Sequence, residues 1–463
     1  MHKGLKRGLS ATVLFGSVVL IALRSVPTHA DAVGSNSPQS IWEWGNLTGD
    51  WGGHRTALKK KGVEFTINYI GEIMSVLSGG LRRGPTYEGQ LNVTVDADLA
   101  RLIGWKGARA QATVYQLHDV DGRNVHDNVG SLSDPSNIDA LPTTRLFTAW
   151  LEQDFGKSSA FRIGQLAADG DFIDAPTAGG LMNGTFGWPA LNGADLPSGG
   201  PAYPLATPGA RLLGQNKHWS FLTAIYSGNP AGSHCMTNPQ ACDRYGLTFS
   251  FSGGALIFAE GRYSADKADH DAGLAATYKL GGWYHTGDFA DRRLGLDSAG
   301  YQVSLALPGA SPLMHRGNWG IYAVADQTLW SGGSRNLSVF LRGEVTPADR
   351  NLVSWYVDGG IGIKGPFKSR SDDTLTIGLA YSRISSDVIA LDRARVAAGG
   401  TGPIRSGELT LEVSYVAQIS PWWSLQPDFQ YIVRPGGGAA DPANPSASIP
   451  NATVIGLRST IKF

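Results

Sequence analysis

Charged side chains alternate with apolar partners at many places in this chain. Glu72, Asp96, Asp98, Arg109, Glu260, Arg262, Asp326, Arg342, Glu344 and Glu412 all stand in such patterns. Arg82 and Arg83 follow one such stretch, and Arg145 opens another that ends near Glu152. Arg is a rigid fork of several donors, and Asp and Glu are acceptors. Set opposite each other, they can hold the hydroxyls of a neutral solute while keeping the net field small. An aromatic side chain would cover the C–H face of the same solute. The expected solute-contacting set is Glu72, Arg83, Asp96, Arg109 and Glu260, with Phe186 and Trp188 as loop aromatics.

Covalent chemistry finds little support. No H-E-x-x-H or G-x-S-x-G occurs. Gly360, Gly362 and Gly365 fit G-x-G-x-x-G, but Pro366 follows and no crossover helix can form. Gly156-Lys157-Ser158 resembles the end of a P-loop, yet Leu151 stands where its first Gly is required. The ten His are scattered without ligand spacing, and Asp119-Val120-Asp121-Gly122 lacks the bidentate Glu of a calcium loop. No enzyme, cofactor or metal is expected. Basic and acidic residues are equal at 39 each, which argues against a nucleic-acid partner.

The positioning elements are strands. Ile455, Leu457, Ile461 and Phe463 share one face of the final stretch, and Arg458, Thr460 and Lys462 share the other. Leu91–Leu99, Asn336–Glu344, Leu375–Tyr381 and Leu409–Ala417 alternate in the same way. Such segments need one dry and one wet face. Twelve further candidates lie near 64–74, 108–117, 145–155, 160–167, 209–214, 218–227, 244–252, 255–264, 272–284, 318–328, 352–363 and 422–432. Single-chain bacterial barrels use even strand numbers, so sixteen or eighteen are expected, and discarding 209–214, the weakest candidate, leaves sixteen. Sandwiches or propellers are the rival architecture. Segments of about ten residues suit a tilted strand crossing a bilayer. Charges on the wet faces suit a watery lumen better than a sandwich core. Trp283-Tyr284, Trp355-Tyr356, Trp422-Trp423 and Tyr431 suit interfacial girdles. The fold class expected is all-β, a 16-stranded antiparallel transmembrane barrel.

Residues 1–30 read as a secretory signal peptide, with Lys3, Lys6 and Arg7, an apolar stretch, and Thr28-His29-Ala30 before the cut. Cleavage there removes those three bases and Arg24 and no acid, so acids then exceed bases by four. Residues 31–62 read as an N-terminal periplasmic segment with a short helix, His54–Lys61, capped by Asp50 and ended by Gly62. The barrel is assigned to 63–463. Two long, irregular stretches, 118–144 and 169–208, are candidates for a loop folded inward as a constriction. In an exported chain Cys235 and Cys242 suggest a local disulfide.

Several motifs carry a resemblance. Leu47-Thr48-Gly49-Asp50-Trp51-Gly52-Gly53, Gly164-Gln165-Leu166-Ala167-Ala168-Asp169, Asn183-Gly184-Thr185-Phe186-Gly187-Trp188-Pro189, Leu196-Pro197-Ser198-Gly199-Gly200-Pro201-Ala202-Tyr203-Pro204 and Gly282-Trp283-Tyr284-His285-Thr286-Gly287 resemble the carbohydrate-selective (OprB-like) porin family, as does Pro347-Ala348-Asp349-Arg350-Asn351. The resemblance runs from about Leu47 to Phe463. It implies a Gram-negative outer-membrane barrel of 16 strands that passes small, glucose-like sugars through a constriction carrying arginines and acidic groups. The implied partners are small sugars and outer-membrane lipid, with a homotrimer or a monomer as the assembly. A general diffusion porin and a soluble exported sugar-binding β-protein are the alternatives.

Overall fold

A computed structural model describes residues 40–265 and 274–463. The signal peptide, the start of the N-terminal segment and residues 272–273 of one strand candidate lie outside the described residues.

Sixteen long strands, from Val63–Ser78 to Ala452–Lys462, each pair antiparallel with the next in sequence. The first strand also pairs antiparallel with the last, from Asn68 opposite Lys462 to Ser78 opposite Thr453. The sheet therefore closes on itself and leaves no edge. This is the condition for crossing hydrocarbon, where no water can satisfy an open N–H or C=O. No helix of the described residues is long and apolar enough to cross a membrane.

The alternation read in the sequence becomes the two faces of the wall. Ile73, Ile163, Leu212, Ile257, Leu280, Ile321, Leu341, Leu379 and Leu457 are exposed outward. Glu72, Glu260, Arg342, Glu412 and Arg458, on the opposite parity, are buried inside. The aromatic pairs obey the same rule and divide between the faces. Tyr284 and Trp355 are exposed on the outside, as a girdle requires. Trp283 and Tyr356 turn inward, where Trp283 donates to Glu344 at 2.7 Å and Tyr356 donates to Asp358 at 2.8 Å.

Two strand assignments are corrected. The weakest candidate, 209–214, is a full barrel strand, Thr207–Gln215, bonded on both sides. Its lumen face carries Arg211, and its outer face is thinned by Pro208, Ala210 and Gly214, which weakened the apolar signal. The candidate 244–252 is not a barrel strand. Trp219–Ser227 pairs directly with Ala255–Ala265, so residues 228–254 form a loop between them. The alternating Tyr245, Leu247, Phe249 and Phe251 are exposed. Phe249 and Phe251 line an apolar cleft of about 630 Å³ with Ile163, Ala210 and Ile225 on the outer wall. Period two thus reports one apolar side here without a sheet partner. Cys235 and Cys242 in this loop are disulfide-bonded, with Cα atoms 5.9 Å apart.

The short helix His54–Lys61 forms where expected. Gly62 ends it at φ 99°, and its N–H bonds the Leu58 and Lys59 carbonyls. A Cβ there would stand 2.8 Å from the Asp98 carbonyl, so both backbone and space require glycine. Asp50 accepts from the Thr56 N–H at 2.8 Å, inside the helix, while Gly53 occupies the cap position. The segment clasps the strand ends. Trp42 stacks on Trp422 at 5.7 Å, the Leu47 N–H bonds the Lys462 carbonyl at 2.8 Å, and Arg55 donates to the Phe463 carbonyl at 2.6 Å.

A charge on the outer wall tests this assignment of faces. Leu379→Arg is expected to lower folded-state stability in bilayer vesicles by about 2–4 kcal/mol, read as a fall in the urea midpoint.

Candidate functional site: a lined path through the barrel

Both long irregular segments enter the lumen, and each is held there by carboxylates on the wall. A loop inside a barrel has left both water and the sheet, so its N–H groups need acceptors. Glu408 accepts from the Leu132 and Ser133 N–H groups at 2.7 and 2.9 Å. Glu88 accepts from the Val125 N–H at 2.9 Å, and Glu72 accepts from the Ser136 hydroxyl. For the second loop, Glu260 takes the Ile173 N–H at 3.1 Å and Asp326 takes the Thr177 N–H at 2.7 Å. Glu412 takes those of Met182 and Asn183. Arg342 supplies the complementary donors, to the carbonyls of Ile173, Thr185 and Phe186 at 2.9–3.1 Å, while paired with Asp358.

The loops fill one side of the lumen with an apolar core. Phe172, Phe186 and Leu191 pack against Phe258, Phe340 and Tyr356. Open space remains along the strands Gly84–Asp98, Ala108–Asp119, Thr143–Phe155 and Ser159–Leu166. Three cavities succeed one another there, of about 680, 250 and 490 Å³. The upper and middle cavities share Tyr115, Phe147 and Asp169. The middle and lower share Gln111, Trp150 and Arg162. The smallest cavity is the middle one. Its walls combine Asn92, Thr94, Gln111 and Thr113 with Trp150, Arg162, Asp169 and Asp171.

Charge in this region is largely paired. Glu152 accepts from Arg109 at 2.6 Å, Arg162 at 2.7 Å and Arg211 at 2.6 Å. Arg211 also pairs with Asp171, and Arg262 with Glu260 at 2.6 Å. The Arg162 guanidinium carbon lies 3.9 Å from the Trp150 ring centre, which fixes the guanidinium plane over the ring. Tyr115 and Phe147 stack at 5.0 Å, and Tyr203 meets Tyr115 edge-on at 5.5 Å. Tyr203 also donates to the Ile138 carbonyl at 2.7 Å and so ties the two loops together. Burial raises Asp169 to about 6, although the Tyr203 N–H at 2.7 Å works against that rise.

The residues expected from sequence separate into three groups. Asp96 and Arg109 line the lower cavity, with Asp96 accepting from Gln111 at 2.7 Å. Trp188 lines the upper cavity and donates to the Gly199 carbonyl at 3.0 Å. Glu72 and Glu260 are buried under the loops and anchor them, and Phe186, within the second loop, is buried against Phe340 of the wall. Arg83 is exposed in the turn after the first strand. Trp150, Arg162, Tyr115 and Tyr203 line the cavities and lie outside the solute-contacting set expected from sequence. The first three lie on lumen parity within recognised strands, and that parity was the available signal.

Residues 82–463 match the carbohydrate-selective porin, OprB family. The chain belongs to this family. It is 26% identical to Porin B of Pseudomonas aeruginosa, with all of both chains aligned. It is 25% identical to the putative porin QuiX of Acinetobacter baylyi, over 90% of this chain and 93% of that one. The high-pH structure of Pseudomonas putida OprB superposes with a TM-score of 0.79 at 25% identity, covering 91% of this chain and 99% of that one. The protein is thus a channel of the Gram-negative outer membrane, built for carbohydrate diffusion.

Two outcomes test the site. Arg342→Met leaves Asp358 buried without its cation, and is expected to cost about 3–5 kcal/mol in urea unfolding. Asp169 is charged above about pH 6 and neutral below it. Cation preference in a salt gradient should therefore fall as pH drops through that value, and Asp169→Asn should flatten the response.

Proposed function

We propose that the protein passes neutral, glucose-sized sugars by passive diffusion along the three cavities, from the long-loop side toward the periplasm. The middle cavity supports this reading. It is the smallest of the three by volume, it sets an aromatic face beside hydroxyl and amide groups, and its Arg162 and Asp171 pair with each other. A sugar ring can lay its C–H face on Trp150 while Arg162 and Asp171 meet its hydroxyls from one side. Asn92, Thr94 and Thr113 meet them from the other. Selectivity comes from width and lining, and contacts of this kind stay weak enough for release. No bond is broken and no cofactor is called for.

The assignment of sides rests on loop length. The connections at the Ser78 end of the first strand include the long loops, and those at its Val63 end are short, the pattern of outer-membrane barrels. The N-terminal segment then lies on the periplasmic side, after a cleaved signal peptide. The three cavities are all lined by one chain, so conduction along them belongs to the single chain whether it stands alone or in a trimer.

Single-channel conductance in a planar bilayer, titrated with glucose, tests the proposal. Saturable block is expected, and Trp150→Ala should raise the half-blocking concentration about 3- to 10-fold. Steps that no sugar blocks would make this a channel without sugar preference.

A further inference from the structure

Acids outnumber bases in the upper cavity. Its charged lining residues are Asp134, Asp139, Asp169 and Arg458. Arg458 is already engaged, by Glu72 at 2.6 Å and by the Asn137 side chain at 2.7 Å. The acids are held by main-chain donors instead of by cations. Asp134 accepts from the Ser136 N–H at 3.0 Å, Asp139 from the His126 N–H at 3.3 Å, and Asp169 from the Tyr203 N–H. The nearest imidazole, His126, stands 4.0 Å from Asp134, and burial lowers its pKa and so favours the neutral ring.

A second observation comes from behind the cavity wall. Glu88 is 4% exposed and directed at the same cluster, where it interacts with Asp139 and Glu72. One of its oxygens takes the Val125 N–H, and the other, Oε2, is buried with no hydrogen-bond partner. A buried carboxylate oxygen without a donor, beside three more acids, marks a place short of positive charge. Burial also drives Asp134 and Asp139 well above the usual carboxylate range, the response of acids that lack a counter-ion.

The rest of the lining suits a sugar ring. Trp188, Tyr203 and Phe147 offer apolar faces, and Ser133, Ser198, Asn238 and Gln240 offer hydroxyl and amide groups. Asn238 and Gln240 belong to the disulfide-closed loop, which Arg145 holds through the Gln240 and Asp243 carbonyls, both at 3.0 Å.

We propose that the upper cavity is a binding station for sugars that carry a protonated amine, the hexosamines. The proposal rests on the sugar-channel reading above and adds a charge class to it. The ring occupies the aromatic and amide lining, and the ammonium group supplies the cation that Asp134, Asp139 and Asp169 lack. A sugar acid brings no cation to this cluster, and at neutral pH it meets the ionised Asp169, which repels it.

The test compares half-blocking concentrations of glucosamine, N-acetylglucosamine, glucose and glucuronate on the full-length channel at neutral pH and low salt. Glucosamine is expected to block at a concentration about fivefold lower than glucose. The neutral N-acetyl sugar should match glucose, glucuronate should be weakest, and high salt should close the gaps. The double variant Asp134→Asn, Asp139→Asn should bring glucosamine and glucose together. Should that variant fail to fold, the comparison among the four sugars on the unmodified channel decides by itself. Equal block by glucosamine and glucose on the unmodified channel would overturn the amine station while leaving the sugar channel intact. Failure of every sugar to block, with open steps present, would overturn both.

Discussion

A loop threaded through a barrel brings its backbone N–H groups into a space with neither bulk water nor a neighbouring strand. The structure depends on meeting that demand. Glu72, Glu88, Glu260, Asp326, Glu408 and Glu412 stand on the wall where the two inward loops pass and accept their N–H or hydroxyl groups. Arg342 does the reverse for carbonyls. The buried charges are therefore structural in the first place. They narrow the channel by holding polypeptide inside it, and the space left over becomes the path.

This arrangement explains why the arginines near the middle cavity carry little free charge. Arg109, Arg162 and Arg211 share three acids, Glu152, Asp154 and Asp171. The guanidinium planes stay fixed and their remaining donors stay available, while the long-range field is cancelled within a few ångströms. A neutral solute feels the donors, and an ion meets little net attraction from them. The upper cavity departs from this balance, because its acids lie against main-chain donors that carry no net charge.

Much of the fold was legible because membrane and lumen impose opposite demands on alternate residues. Leu457 and Arg458 declare their faces by type alone. The limits are equally physical. Residues 244–252 alternate as a strand does, yet they rest on the outside of the wall, because period two records which side is dry and says nothing about hydrogen-bond partners. Glu260 and Glu412 were legible as lumen-facing. Whether such a residue meets solute or loop depends on where residues 170–183 travel, which no local pattern encodes. Trp150 lies on lumen parity near the middle of Thr143–Phe155, but parity alone does not tell a ring that meets solute from one packed under a loop.

The seam between first and last strands has a consequence for assembly. Glu72 and Arg458, paired across it, are 386 residues apart in sequence. Contacts that distant are entropically the most demanding to form and come late in a folding chain. The N-terminal clasp binds residues of the last hairpin and terminus, among them Trp422, Lys462 and Phe463. Its full docking surface therefore exists only once the C-terminal end has arrived. The segment around residues 42–55 must thus wait for the strands at the far end of the chain. It acts as a latch that closes over a finished seam, and it gives the assembly a direction.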